Sequence, residues 1–201
     1  MSKGGLLLVM TGPSGVGKST LVRRVQQDLP EVRFSVSCTT RGAREGEVHG
    51  SDYFFVSVPD FEERVGRGEF LEHASVHGNL YGTLRSHVMD EVGTGAVMLL
   101  DIDVQGAAQV RASGQEATYL FILPPSFEVL EQRLRGRATD AAEVIDRRLK
   151  TARSEVEQAA LFEHSIVNDD LERAAAEFVE LIGTCRAATA VPDSNRAASD
   201  P

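Results

Sequence analysis

The 201 residues suit one α/β domain, enough for a substantial core and too few for two full domains with a cleft between them. Apolar residues make up 42% and charged residues 25% of the chain, no apolar run approaches the ~18 residues of a membrane span, and the N-terminus runs straight into its first apolar segment without room for a signal peptide, so a cytoplasmic protein with no membrane partner is expected. A formal net charge of −9 and two cysteines, Cys38 and Cys185, without C-x-x-C spacing argue against nucleic-acid binding through a basic surface, a disulfide scaffold and a cysteine zinc site.

The run at 6–10 is apolar throughout and predicts a buried strand. It feeds Gly12-Pro13-Ser14-Gly15-Val16-Gly17-Lys18-Ser19-Thr20, which fits the phosphate-binding pattern G-x-x-x-x-G-K-S/T at every position. Residues 21–25 continue as an amphipathic helix, so strand, glycine turn and helix follow in the order that binds a nucleoside triphosphate. The glycines let backbone N–H groups and the helix N-terminus face an anion. Lys18 places a cation on the β and γ phosphates, and the Ser19 hydroxyl offers a ligand to Mg²⁺ arriving with ATP. Pro30 closes the helix, and 34–37 reads as a short strand.

A polar stretch at 38–52 has no periodicity and ends at the β-prone residues 53–56. Asp60 with Glu63 predicts a capping-box start for a short helix, and 70–72 resumes extended structure. Residues 37–83 therefore read as a small mixed insertion. A helix over 84–92 ends at Gly93, and 96–103 predicts a buried strand terminating in two carboxylates, Asp101 and Asp103. Residues 118–123 form another strand, broken by Pro124-Pro125, after which Ser126 caps a helix carrying Phe127, Leu130 and Leu134. After a turn at 135–139, Asp140 with Glu143 starts a long helix through Leu161. A strand at 164–167 and a helix at 171–186 follow. Strands separated by helices predict a mainly parallel sheet covered on both faces, and 187–201 reads as a disordered tail.

An acidic chain that handles phosphates must gather its arginines locally. Arg41 and Arg44, three residues apart beside the hydroxyls of Ser37-Cys38-Thr39-Thr40, suit a bidentate clamp on a dianionic monophosphate. Tyr53 and Tyr81 can add phenolic donors to the same oxygens, and Glu72, behind Phe70-Leu71, puts a carboxylate at the edge of a pocket. A second cluster comprises Arg133, Arg135, Arg137, Arg147 and Arg148. The five histidines show no clustered metal spacing.

The segments Gly12 to Thr20, Ser35-Val36-Ser37-Cys38-Thr39-Thr40-Arg41, Gly46-Glu47-Val48 with Asp52-Tyr53, and Phe70-Leu71-Glu72 resemble guanylate kinase. So do Val76-His77-Gly78-Asn79 with Tyr81-Gly82-Thr83, Leu100-Asp101-Ile102-Asp103-Val104-Gln105-Gly106, and Val167-Asn168-Asp169-Asp170-Leu171, and the likeness runs from about Leu6 to Leu171. The resemblance implies a P-loop nucleoside monophosphate kinase fold. Its core would span 4–36, 84–125 and 160–186, with a GMP-binding insertion at 37–83 and a helical lid at about 126–159. It also implies transfer of the γ-phosphoryl of ATP to GMP. By the same resemblance Arg41, Arg44, Tyr53 and Tyr81 hold the GMP phosphate, while Ser37, Glu72, Thr83 and Asp103 read guanine. Gly12 to Thr20, Arg133 and Asn168 would bind ATP, and Lys18, Arg137 and Arg148 would act on the transferred group.

The chemistry agrees, because guanine offers N1–H and N2–H₂ donors to an ionised Glu72 and an O6 acceptor to the Ser37 hydroxyl. Adenine would turn an N1 acceptor towards the carboxylate. Asp101, ending an apolar strand, stands where a carboxylate holds Mg²⁺ directly or through water, or else caps the next turn. Ala138 stands where glycine commonly follows Arg137 in the family, and His73, Phe162-Glu163-His164 and Cys38 also depart from its usual pattern. None removes a group the chemistry needs. Two rival readings stay open: a kinase for another phosphorylated acceptor such as ribose 1,5-bisphosphate, which needs no base-reading pair, and a non-catalytic phosphopeptide-binding module, which a degraded P-loop would mark. ATP and GMP are the expected partners of a monomer or small homo-oligomer.

Overall fold

The computed structural model describes residues 4–76, 78–136 and 142–189. β1 (Leu6–Thr11) is buried at every position and leads through the glycine turn into α1 (Lys18–Asp28). Next come β2 (Val32–Phe34), β3 (Cys38–Thr39), β4 (Phe54–Phe55), α2 (Val58–Gly66), β5 (Phe70–Val76), β6 (Asn79–Leu84) and α3 (Arg85–Gly93). The chain continues as β7 (Val97–Asp101), α4 (Val104–Ala112), β8 (Thr118–Leu123), α5 (Phe127–Arg135), α6 (Ala142–Glu157), a 3₁₀ turn (Ala159–Leu161), β9 (His164–Val167) and α7 (Leu171–Thr189).

Side-chain alternation along β1 organises the main core. Leu6, Leu8 and Met10 enter one cluster with Leu21, Val25 and Phe178, while Leu7 and Val9 enter another with Val88, Ala107 and Val110. Helices α1 and α7 thus cover one face of the sheet, and α3 and α4 the other. A strand clad on both faces has to be apolar along its length, as this one is from Leu6 to Met10. Complete burial of Leu8, Val9 and Met10 stabilises the fold by about 1.5–3 kcal/mol for each side chain.

The main sheet has the order β2-β7-β1-β8-β9, with every pairing parallel. The chain leaves β1 for the β7 side and returns from β7 to β8 on the other side, so the strand order reverses at β1. In open α/β sheets the crevice beyond the strands' carboxyl ends at such a point is the ligand site. The glycine turn and Asn168 follow strands at that edge, and Asp101 ends one. A second sheet, β4-β3-β6-β5, is mixed and has its own small core, in which Phe61 stacks on Phe70 at 4.5 Å.

Structure and expectation agree for the strands at 118–123 and 164–167 and for the Ser126 cap, whose hydroxyl accepts the Val129 N–H. They differ at 34–37. There β2 ends at Phe34, the Ser35 N–H makes one last bond to Leu99 O, and Cys38-Thr39 joins the other sheet instead. Local β propensity does not say which sheet a residue will serve. The helix expected from Asp60 begins at Val58, because Ser57 is the cap and accepts the Asp60 N–H, with Pro59 in the first turn.

The strand expected to reach Asp103 stops at Asp101, and Asp103 caps the unanticipated helix α4 by accepting the Gly106 N–H. Small and polar residues at 104–109 leave that helix only a faint apolar stripe, with Gly106, Ala107 and Val110 buried. Strand β6 was also unanticipated. The long helix expected through Leu161 gives way at Glu157 to a 3₁₀ turn, and α7 runs three residues beyond the expected end at 186. His77, Arg137, Ala138, Asp140 and the tail from 190 lie outside the described residues.

Candidate active site

Gly17 caps α1 in the left-handed region (φ 99°) without a side-chain cap, which leaves the first-turn N–H groups to face an anion. A Cβ on Gly17 would lie 2.6 Å from the Asn168 amide nitrogen, so only glycine fits. Two side chains from outside the loop hold its shape. The Asn168 amide donates to Val16 O at 2.8 Å, and Arg133 donates to Val16 O at 3.1 Å and to Asn168 O at 3.0 Å. Gly15, Gly17, Thr20, Arg133, Gly136 and Asn168 line a groove of about 410 Å³ beside the loop. Arg133 and Asn168, expected at the ATP, therefore stand together at its edge and brace the loop.

Lys18 Nζ donates to Gly12 O and pairs with Asp101 Oδ1 at 3.5 Å. Withdrawal from water raises the Asp101 carboxyl above its ordinary range, and the Lys18 charge opposes that rise. Ser19 is the second residue of α1 and Asp101 the last of β7. Their oxygens are hard donors of the kind Mg²⁺ takes, one or two from protein and the rest from phosphates and water. Among the described residues no group of three or more His, Cys, Asp or Glu side chains could hold a metal ion. Burial raises the Glu155 carboxyl on α6, the Lys18 charge opposes that rise and the Asp103 charge reinforces it.

The second sheet brings the other predicted residues together. Tyr81 and Thr83 alternate along β6, and Glu72 of β5 pairs with Thr83 in register. The Thr83 hydroxyl donates to Glu72 Oε1 at 2.6 Å, and both residues are buried, Glu72 with 8% of its surface exposed. Burial raises the Glu72 carboxyl above the usual range; the Thr83 bond opposes this and the Asp103 charge reinforces it. Gly106 lies against the same carboxylate, since a Cβ there would sit 3.4 Å from Glu72 Oε2. Asp103, the cap of α4, is near enough for its charge to act on Glu72. Ser37 is half-buried just before β3, and its carbonyl accepts the Phe54 N–H.

Arg41 lies 5.3 Å from the Tyr53 ring, and Tyr53 lies 6.1 Å from Tyr81, so three of the four expected phosphate-clamp side chains converge. Arg44 is exposed nearby. Sequence reasoning did not assign the partner that organises them. Glu47 takes two bonds from Arg41, at 3.0 and 2.8 Å, and one from the Arg44 N–H at 2.7 Å, and these donors, Arg41 first, hold its carboxyl at about 2. The signal was present: an acid three and six residues after two arginines in a glycine-rich loop. Arg148 is half-buried on α6, and Arg137 lies outside the described residues.

A family model described as guanylate kinase matches residues 5–184. A guanylate kinase of Trichormus variabilis is 51% identical over 177 residues, 88% of each chain, and one of Neisseria gonorrhoeae is 49% identical over 182 residues, 90% of this chain and 89% of the relative. The crystal structure of a guanylate kinase from Anaplasma phagocytophilum superposes with a TM-score of 0.67 at 35% identity, covering 92% of this chain and 87% of that one.

Proposed function

The chain belongs to the guanylate kinase family, and from that premise we propose that its two sheets divide the work of one phosphoryl transfer, the parallel sheet holding ATP and the mixed sheet holding GMP. It transfers the γ-phosphoryl of ATP to GMP, giving ADP and GDP. The observation that carries the assignment of roles is the buried Glu72–Thr83 pair on the same two strands as Tyr81 of the Arg41–Tyr53–Tyr81 cluster, in a chain whose P-loop is complete.

In this reading Arg41, Arg44, Tyr53 and Tyr81 grip the GMP phosphate, and Ser37, Glu72, Thr83 and Asp103 read the base. The P-loop backbone and Lys18 cradle the ATP phosphates, with Arg133 and Asn168 shaping the loop. A GMP phosphate oxygen attacks the γ-phosphorus as the bond to the β–γ bridging oxygen breaks, and the electron pair leaves with ADP. The acceptor's second pKa is about 6, so its oxygen is already anionic at neutral pH and no general base is needed. Catalysis is then positioning plus positive charge. Ser19 and Asp101 would hold Mg²⁺, which neutralises phosphate charge when bound. Arg137 and Arg148 belong to the lid at about 126–159, which closes on the insertion at 37–83. No described helix is long and apolar enough to cross a membrane, and a cytoplasmic setting completes the proposal.

The test is ADP formation from Mg-ATP with GMP, AMP, UMP, CMP or ribose 1,5-bisphosphate offered singly. Turnover with GMP alone is expected, and turnover with the sugar phosphate alone would contradict a base-reading Glu72. Arg148→Ala is expected to lower kcat by about 10²-fold or more while KM for GMP moves little, as for a contact that strengthens in the transition state. An effect confined to KM would remove Arg148 from that role. KM for GMP is expected to rise on acidification at a pH above the ordinary carboxylate range, because protonating the raised Glu72 carboxyl removes the acceptor for N1–H and N2–H₂. Glu72→Gln keeps only the substrate phosphate's own titration near about pH 6. Identical pH profiles of KM in the two proteins would contradict the assignment.

A further inference from the structure

Among the described residues β5 is an edge strand that pairs only with β6, so a backbone N–H and C=O on its outer side must find partners outside the sheet. At His73 both partners come from one side chain of the main core. Gln109 Oε1 accepts the His73 N–H at 3.0 Å, and Gln109 Nε2 donates to the His73 C=O at 3.0 Å. A single primary amide on α4 thus stands where a neighbouring strand would stand.

The place it grips is mechanically weak. His73 directly follows Glu72, and the register slips between Phe70 and Glu72, the mark of a bulge. A bulge interrupts the ladder and bends the strand, which lets a side chain be re-aimed but also leaves it less firmly held. Here it lets Phe70 enter the small core, Leu71 the main core, and Glu72 the pocket. Thr83 fixes the carboxylate from the β6 side, and Gln109 fixes its backbone from the α4 side. Asp103, Gly106 and Gln109 recur every three residues and share one side of α4. At Gly106 the helix comes so close that a Cβ would lie 3.4 Å from Glu72 Oε2.

We infer that Gln109 is a positioning residue that holds β5 at the depth where Glu72 meets the guanine edge, so that base selectivity is set in part from the nucleotide-binding core. The inference rests on Glu72 as the base-reading group. Gln109→Met keeps length and volume while deleting both hydrogen bonds. The measurement is steady-state kinetics with GMP and with inosine monophosphate, which lacks the 2-amino donor, alongside KM for ATP and a thermal melt. The expected result is a fall of about tenfold in kcat/KM for GMP, a smaller fall for inosine monophosphate and an unchanged KM for ATP. In a Glu72→Gln background the same change is expected to cost no further selectivity, since its effect passes through the carboxylate.

Parallel losses with both acceptors and ATP, together with a lower melting temperature, would mean that Gln109 only stabilises the fold and would overturn the inference. So would a silent Gln109→Met in an enzyme whose selectivity Glu72→Gln has abolished, which leaves the pocket assignment standing. Silence of Glu72→Gln itself would bring down the pocket assignment and the inference together.

Discussion

Lys18→Ala is expected to lower kcat by about 10³-fold or more, the scale that follows loss of one preorganised positive contact on a transferring phosphoryl group. The geometry gives the reason. Lys18 leaves the first turn of α1 and folds back over the loop to Gly12 O, so its ammonium sits inside the turn that receives the phosphates. Asp101, 3.5 Å away, balances this charge, and an arriving γ-phosphate competes for the same cation. Removing Lys18 also strands Asp101, whose carboxyl is already raised, so part of the loss could be structural. Binding of GMP measured by calorimetry separates the two effects. GMP affinity within a few-fold of the unmodified protein, with turnover nearly abolished, is the expected pair of results. A kcat within about tenfold of the original would remove Lys18 from the transferred group.

With Glu72 as the proposed base-reading group, Glu72→Gln is expected to lower kcat/KM for GMP by about 10²- to 10³-fold, because two hydrogen bonds to a buried charge would be weakened at once. Its larger consequence is in selectivity. A pocket whose buried polar groups match a substrate's donors can reject an analogue lacking them by about 10⁴- to 10⁵-fold. Adenine turns an acceptor towards Glu72 where guanine turns a donor. The amide presents a donor as well as an acceptor, so AMP meets less repulsion and the GMP-over-AMP ratio collapses from both ends. Thr83 donates to Glu72 Oε1 and could equally donate to the amide oxygen, which keeps the variant folded. Competing GMP and AMP in one reaction reads the ratio directly. An unchanged ratio would take Glu72 out of the base site.

The P-loop was legible because its chemistry is local. Backbone N–H groups can converge on an anion only when glycines recur within a few residues, and the cation and hydroxyl must follow at once on the helix, so the whole device is written in nine consecutive positions, Gly12 to Thr20. The Ser126 cap was legible for the same reason. Ser57 was missed although it stands three residues before Asp60, since the Asp60 to Glu63 pair offered an equally good local pattern and only the observed bond from Asp60 N–H tells them apart. Helix α4 was missed because its burial comes from close approach to β5 and β1 rather than from an apolar stripe. Glu47 was part of a quoted motif, but its two bonds to Arg41 depend on how the loop folds back.

The chain by itself determined the alternation of strands and helices, the phosphate loop and the residue types that a guanine and its phosphate require, since each is a matter of spacing over a few residues and of which atoms donate or accept. Tertiary structure alone decided that Asp101 pairs with Lys18, that Arg133 and Asn168 meet on the carbonyl of Val16, and that Gln109 grips β5 beside Glu72. These partners lie as many as 152 positions apart. No local rule joins them, because their proximity comes from the strand order around β1 and from the closure of one sheet against the other, which are set by burial of the whole core at once.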